Sequence, residues 1–142
     1  MFYFGRELGR FIALEGALKL KEISYKHPEG FSAGELKHGA LAMLTDNTPV
    51  FALLTGDAVQ IERIRQNISE AAARGAPLIA AVPDNVSPPA EYDHVLTLPD
   101  VPQSVEPILA NVHLQLFAYH VANRLGRPVD RARHSAKSVT VQ

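Results

Sequence analysis

A line of alternating charge runs through the stretch Phe11–Ala42, FIALEGALKLKEISYKHPEGFSAGELKHGALA. Glu15, Lys19, Glu22 and Lys26 are spaced i, i+4, i+7, i+11. At about 100° per residue they share one helical stripe about 60° wide. Carboxylates interleaved with ammonium groups are the raw material of a general acid or base, provided that the surroundings tune them. His38, a little further on, carries the one side chain that titrates near neutrality unaided. The rest of the helix surface is apolar or small apart from Lys21: Phe11, Ile12, Ala13, Leu14, Gly16, Ala17, Leu18, Leu20, Ile23 and Tyr25. A helix on a domain surface keeps a broad polar face. The pattern therefore predicts a mostly buried helix whose charged edge lines a cleft. A second reading stays open at this point: Glu15–Lys19 and Glu22–Lys26 are also i, i+4 pairs that stabilise an exposed helix by about 0.2–0.5 kcal/mol each.

Two further histidines, His113 and His120, share a helical face at i, i+7. No third ligand accompanies them, so they read as core-edge residues and no metal site is expected. The chain has no cysteine. That excludes disulfides, thiolate metal sites and cysteine nucleophiles, and suits a reducing cytoplasm. Its 142 residues fit one domain, and 46% hydrophobic content supplies a core. With 20% charged residues and a net charge of −1, nothing attracts nucleic acid or an acidic membrane surface. No apolar run is long enough to cross a membrane, and MFYFGRELGR lacks the layout of a signal peptide.

The elements that must position these groups follow from the apolar runs. Met1–Phe4 reads as a short buried strand. It starts abruptly at the initiator methionine, so the expectation is a domain incomplete at its N-terminus. The GRELG that follows has glycines at a strand-to-helix turn but not the spacing of a phosphate loop. The charged helix runs to about Tyr25 and stops before Pro28. Glu29–Gly34 reads as a loop, and Glu35–Met43 as a short helix interrupted at Gly39. Pro49–Leu54, Pro77–Val82 and His94–Leu98 read as strands. Between them lie a helix over Ala58–Arg74, capped by Asp57 and ended by Gly75, and a loop over Asp84–Asp93. That helix has Ile61, Ile64, Ile68 and Ala72 on its inner face. Pro102–Arg124 is a long helix with Val105, Ile108, Leu109, Val112, Leu116 and Tyr119 or His120 inward. The tail Val129–Gln142 has no helical period. Short apolar strands alternating with helices predict a three-layer α/β/α sandwich on a mostly parallel sheet, here four strands and three or four helices. The domain is expected over 1–125 and the tail over 126–142. Ligands of such sheets bind beyond the carboxyl ends of the strands.

ALEGALKLKEISY, then AGELKHG, then AKSVTV resemble the C-terminal half of the isomerase region in the glucosamine-6-phosphate synthase family, the isomerising glutamine–fructose-6-phosphate aminotransferases. The likeness runs from FGR near the start to the last residue and is loosest over 55–100. It implies a sugar-isomerase (SIS) domain with a five-stranded parallel sheet, in an enzyme that makes glucosamine 6-phosphate from fructose 6-phosphate and glutamine. By that resemblance Glu22 is the general base moving a proton between C1 and C2 of the sugar, and Lys19 assists near O1. His38 helps to open the sugar ring from across a subunit interface, which implies a homodimer. Lys137 forms a Schiff base with the C2 carbonyl, and Glu15 and Ala136 contact substrate. Lysine attacks a carbonyl only as the neutral amine. Arg131, Arg133 and His134 just upstream would favour that form if the tail folds back. No cofactor is implied.

The sequence departs from the family pattern at Ala132, His134 and Ser135 in the tail and at Ala40 after the histidine motif. It also lacks the N-terminal cysteine with which this family hydrolyses glutamine, and the serine–threonine clamp that holds the sugar phosphate in the first SIS half. The expectation is an isomerase fragment, inactive as a synthase on its own. The alternatives are a stand-alone phosphosugar-binding or regulatory module, and a dimerisation module.

Overall fold

The computed structural model describes residues 1–131 and 133. Its elements are, in chain order, β1 (Phe2–Gly5), α1 (Leu8–Ser24), β2 (Glu29–Ser32), two 3₁₀ helices (Ala33–Lys37 and Ala40–Met43), β3 (Val50–Leu53), α2 (Ala58–Ala72), β4 (Leu78–Pro83), β5 (His94–Leu98) and α3 (Glu106–Arg124). The five strands form one sheet in the order β2-β1-β3-β4-β5, and every pairing is parallel.

Side chains alternate across the strands, so each face of the sheet gathers its own core. On one face Tyr3, Phe51, Leu53, Ala81 and Leu98 meet Ile12, Ala13, Ala17 and Leu20 of α1 and Ala110, Leu114 and Ala118 of α3. On the other, Phe2, Phe4, Val50, Ala52, Leu78 and Ala80 meet Ile61, Ile64, Ile68 and Ala71 of α2, with Ala33, Leu36 and Ala40 of the 3₁₀ helices. This is the expected α/β/α sandwich. The cap of α2 is also as expected: Asp57 Oδ1 accepts from the Gln60 amide at 2.8 Å.

Three expectations need correction. Glu29–Ser32 is not loop but the edge strand β2, paired to β1 from Phe2↔Glu29 to Gly5↔Ser32. It lacks an apolar run because it is only half-buried along its length. Gly30 lets α1 cross close above it: a Cβ there would sit 2.8 Å from the Ala13 carbonyl oxygen.

The inner face of α3 is the second correction. The buried residues are Ala110, Leu114, Ala118 and Ala122. Ile108, Val112, Leu116 and Tyr119 are exposed, Ile108 by 64%. Residues of nearly all apolar types surround this helix, so periodicity alone does not choose a side. Close packing does: α1 and α3 pack with small residues between them, and a side chain at Gly16 of α1 would collide with Leu114.

The third correction concerns α1. It buries Ile12, Ala13, Gly16, Ala17 and Leu20, but Phe11, Leu14 and Leu18 stand open, Phe11 by 62%. The helix is therefore half-buried rather than mostly buried. Its end is as expected, at Tyr25, whose φ of 61° turns the chain left-handed while its amide donates to the Lys21 carbonyl.

Candidate functional site: two edges of one sheet

β1 and β2 are parallel and α1 joins them, so α1 runs back against the strands. It begins at their carboxyl edge and ends at their amino edge. Leu8 and Glu22 are thus separated by about 21 Å along the helix axis. This separation divides the polar features of the domain into two groups.

At the amino edge lies the charged line. Lys19 Nζ is 2.9 Å from Glu22 Oε2 and 3.5 Å from Glu15 Oε1. The ammonium is the hub of three residues. Its pKa is raised, first by the hydrogen bond to Glu22, so it stays cationic through the neutral range. The Glu22 side chain is 46% exposed and that of Lys19 33%. The predicted burial of this edge is therefore corrected: within this chain Glu22 stands at an open surface. Lys26, the fourth member of the predicted stripe, lies past the end of the helix and is exposed. Glu15 borders a shallow groove with Phe11, Ile12, Pro107, Ile108 and Asn111.

The tail reaches this same edge. The Arg133 amide donates to Tyr25 Oη at 3.0 Å, and Tyr25 is the first residue beyond α1. Lys137 and Ala136 lie outside the described residues.

His38 is exposed and ends the first 3₁₀ helix, its amide donating to the Glu35 carbonyl at 2.9 Å. That helix packs with α2, on the opposite face of the sheet from α1. One chain therefore does not bring His38 to Glu22. His113 donates from Nδ1 to the Leu109 carbonyl at 2.8 Å, and His120 is exposed with its ring against Tyr119. Neither gathers acidic neighbours into a metal site among the described residues.

At the carboxyl edge is a crevice of about 180 Å³ between the ends of β1 and β3, lined by Arg6, Glu7, Gly9, Thr55, Asp57 and Glu106 among others. Here consecutive crossovers leave the sheet on opposite faces, which is where open α/β sheets bind ligands. The N-termini of α1, α2 and α3 all point here. One of the three is met by the chain's own carboxylates: Asp57 caps α2, and Glu106 Oε2, from the first turn of α3, accepts from the Gly56 amide just ahead of α2 at 2.8 Å. Arg6 bonds only neutral partners among the described residues, donating to Gln60 Oε1 at 3.2 Å and Asn67 Oδ1 at 3.3 Å. Thr55 is the hydroxyl residue on this wall. The carboxylates of Glu7, Asp57 and Glu106 on this wall set negative charge against a phosphate dianion placed there. Sequence reasoning gave GRELG little weight, and the signal it held was the pair of glycines at the strand end.

A parallel α/β/α sandwich with this strand order, carrying charged groups at a helix end against a returning tail, defines the class. The chain belongs to the SIS domain family, whose model matches residues 1–123. It is 57% identical over 141 residues to the glutamine–fructose-6-phosphate aminotransferase (isomerising) of Halobacterium salinarum, covering 99% of this chain and 23% of the relative. To the enzyme of the same name from Bacillus subtilis it is 46% identical, again over 99% of this chain and 23% of the relative. The chain thus spans about a quarter of the length of these curated enzymes. Among solved structures, the C-terminal domain of glucosamine-fructose-6-phosphate aminotransferase from Francisella tularensis superimposes with a TM-score of 0.84 at 40% identity, covering 90% of this chain and 36% of that one. Tagatose-6-phosphate ketose/aldose isomerase from Escherichia coli shares the fold, with a TM-score of 0.76 at 20% identity over 93% of this chain and 38% of that one. No helix among the described residues is long and apolar enough to cross a membrane.

Proposed function

We propose that this chain is the second isomerase half of a glutamine–fructose-6-phosphate aminotransferase, and that it supplies the proton-transfer groups for converting fructose 6-phosphate to glucosamine 6-phosphate. The observation that carries the reading is the return of the tail to the end of α1. Arg133 is bonded to Tyr25, less than one helical turn beyond Glu22. Lys137 lies four residues further on, a reach of up to about 14 Å of extended chain. That length is enough to bring its amine to Glu22.

The neutral Lys137 amine adds to the C2 carbonyl of the open-chain sugar and water leaves, giving an imine. Ammonia released from glutamine by the remaining domains adds at C2 and expels the lysine amine, leaving the sugar's own imine, fructosimine 6-phosphate. That imine draws electrons from C1, so Glu22 takes a proton from C1 and returns one to C2 while the C1 hydroxyl gives up its proton, leaving an aldehyde at C1 and an amine at C2. Lys19 holds the Glu22 carboxylate in place and offers a cation near O1. Glu15 and Ala136 contact substrate. His38 opens the sugar ring. The sheet stands between His38 and Glu22 in one chain, which supports a homodimer whose site borrows His38 from the second copy. The crevice at the carboxyl edge, supplied with Asp57 and Glu106, supports the view that the phosphate is gripped elsewhere. The chain alone is then inactive as a synthase. A cytoplasmic location fits the substrate and the absence of cysteine.

The test is reductive trapping. The chain is mixed with the remaining domains of the Halobacterium salinarum relative, expressed separately, and treated with fructose 6-phosphate and borohydride. Hydride reduces the imine to a stable secondary amine, and mass spectrometry should find one sugar phosphate on Lys137. Sugar on other lysines, or none on any, refutes the assignment; bound but untrapped sugar would instead support a phosphosugar-binding module. Glucosamine 6-phosphate formed by this chain alone would refute the claim of inactivity.

A further inference from the structure

Tyr25 occupies a position that its backbone does not favour. With φ at 61° and ψ at 20° it is left-handed, a conformation that costs an L side chain energy and that glycine adopts freely. The chain uses glycine for this purpose elsewhere: Gly75 follows α2 with φ at 74°, and Gly126 follows α3 with φ at 64°. Only at the end of α1 does a large aromatic residue take the left-handed turn among the three α-helices. The local geometry alone would select glycine, so the side chain is retained for a contact.

That contact is with the returning chain. The Arg133 guanidinium carbon lies 4.3 Å from the Tyr25 ring centroid and that of Arg127 lies 5.3 Å away. Both distances are within the range of a cation–π interaction. The Arg133 amide also donates to the hydroxyl at 3.0 Å, across 108 residues of sequence. Ring and hydroxyl thus hold one segment from two directions. We propose that Tyr25 is a positioning residue, a clasp that fixes Arg127 and Arg133 against the end of α1 and so sets the point from which the last residues depart. On the reading above, this aligns Lys137 with Glu22; the clasp itself rests only on Tyr25, Arg127 and Arg133.

Three measurements on Tyr25→Gly and Tyr25→Phe test it. Glycine suits the left-handed turn, so Tyr25→Gly should melt no lower than wild type, which separates loss of the clasp from loss of the fold. In the 142-residue chain, limited trypsin cleavage after Arg131 and Arg133 should accelerate by about five-fold in Tyr25→Gly, with cleavage after Arg74 unchanged, because proteolysis tracks the population of released segment. Tyr25→Phe keeps both ring contacts and should fall between the two. In the mixed enzyme, the Tyr25→Gly rate of borohydride trapping at Lys137 should drop by about ten-fold with no change in half-saturating fructose 6-phosphate, as expected for misplacement of a reacting group. Wild-type cleavage rates in Tyr25→Gly would overturn the clasp. Faster cleavage with unaltered trapping would overturn its positioning role. If wild type traps no sugar at Lys137, the functional reading fails, and trypsin alone still decides the clasp.

Discussion

Replacing Tyr3 by phenylalanine should stabilise the domain, and the gain should grow in alkali. Tyr3 is fully buried in the middle of the sheet, its ring stacked on Phe51 at 5.2 Å. Among the described residues its hydroxyl has no hydrogen-bond partner. A buried hydroxyl left unpaired costs about 1–3 kcal/mol, whereas the ring contacts survive in phenylalanine. Tyr3→Phe should therefore gain about 1–2 kcal/mol at pH 7, or roughly 3–7 °C in Tm for a domain of this size. Burial also pushes the Tyr3 phenol above its ordinary pKa of 10. With the folded value raised, the unfolded chain ionises first. The contribution of this group is intact below about pH 10 and is lost as pH rises from there toward the folded value. At pH 11 the wild type should have lost about 1.4 kcal/mol through Tyr3, and the variant nothing through that position. Tyr92, also raised chiefly by burial, titrates alike in both proteins and cancels in the difference. Urea unfolding at pH 7 and pH 11 reads both effects. A variant no more stable at pH 7, or one that weakens as much as wild type in alkali, would refute the reasoning.

Other outcomes follow from single contacts. Asp57→Ala removes the cap of α2 and should cost about 1 kcal/mol in urea unfolding, with Asp57→Asn recovering most of it. Glu106→Ala strips the Gly56 amide of its acceptor in a partly open crevice and should cost about 1–2 kcal/mol by the same assay; an unchanged midpoint would mean that water replaces the carboxylate without loss. In the mixed enzyme, Glu22→Gln and His38→Ala chains should each lose trapping or turnover. Mixed together they should regain about a quarter of wild-type activity, since half of random dimers pair the two and each such dimer has one intact site. Failure to recover would place His38 and Glu22 in one subunit's site, or one of them outside it.

The parts of this fold that could be read in advance are those where one physical requirement dominates. Val50–Leu53 and Leu78–Pro83 are buried on both faces, so they carry uninterrupted apolar runs. Ile61, Ile64 and Ile68 form one stripe because α2 has a polar side to contrast with it. Where two requirements compete, pattern fails. β2 is paired on one side only and crossed by α1, so beside Phe31 its four residues are a glycine and two polar groups, too little for a hydrophobic signature. α3 holds two apolar stripes, and the alanine-rich one wins because α1 must come close. The site follows the same logic. The Lys19–Glu22 contact is a matter of helical spacing and was legible. The exposure of Glu22 depends on what covers α1, and no local pattern encodes that. Its place at the amino edge, far from the ligand crevice of the sheet, follows only from the direction in which α1 crosses. That separation carries the argument furthest. On the proposed function, a half-domain with its charged hub at one edge and Asp57 and Glu106 at the other would transfer protons on a sugar whose phosphate another domain holds.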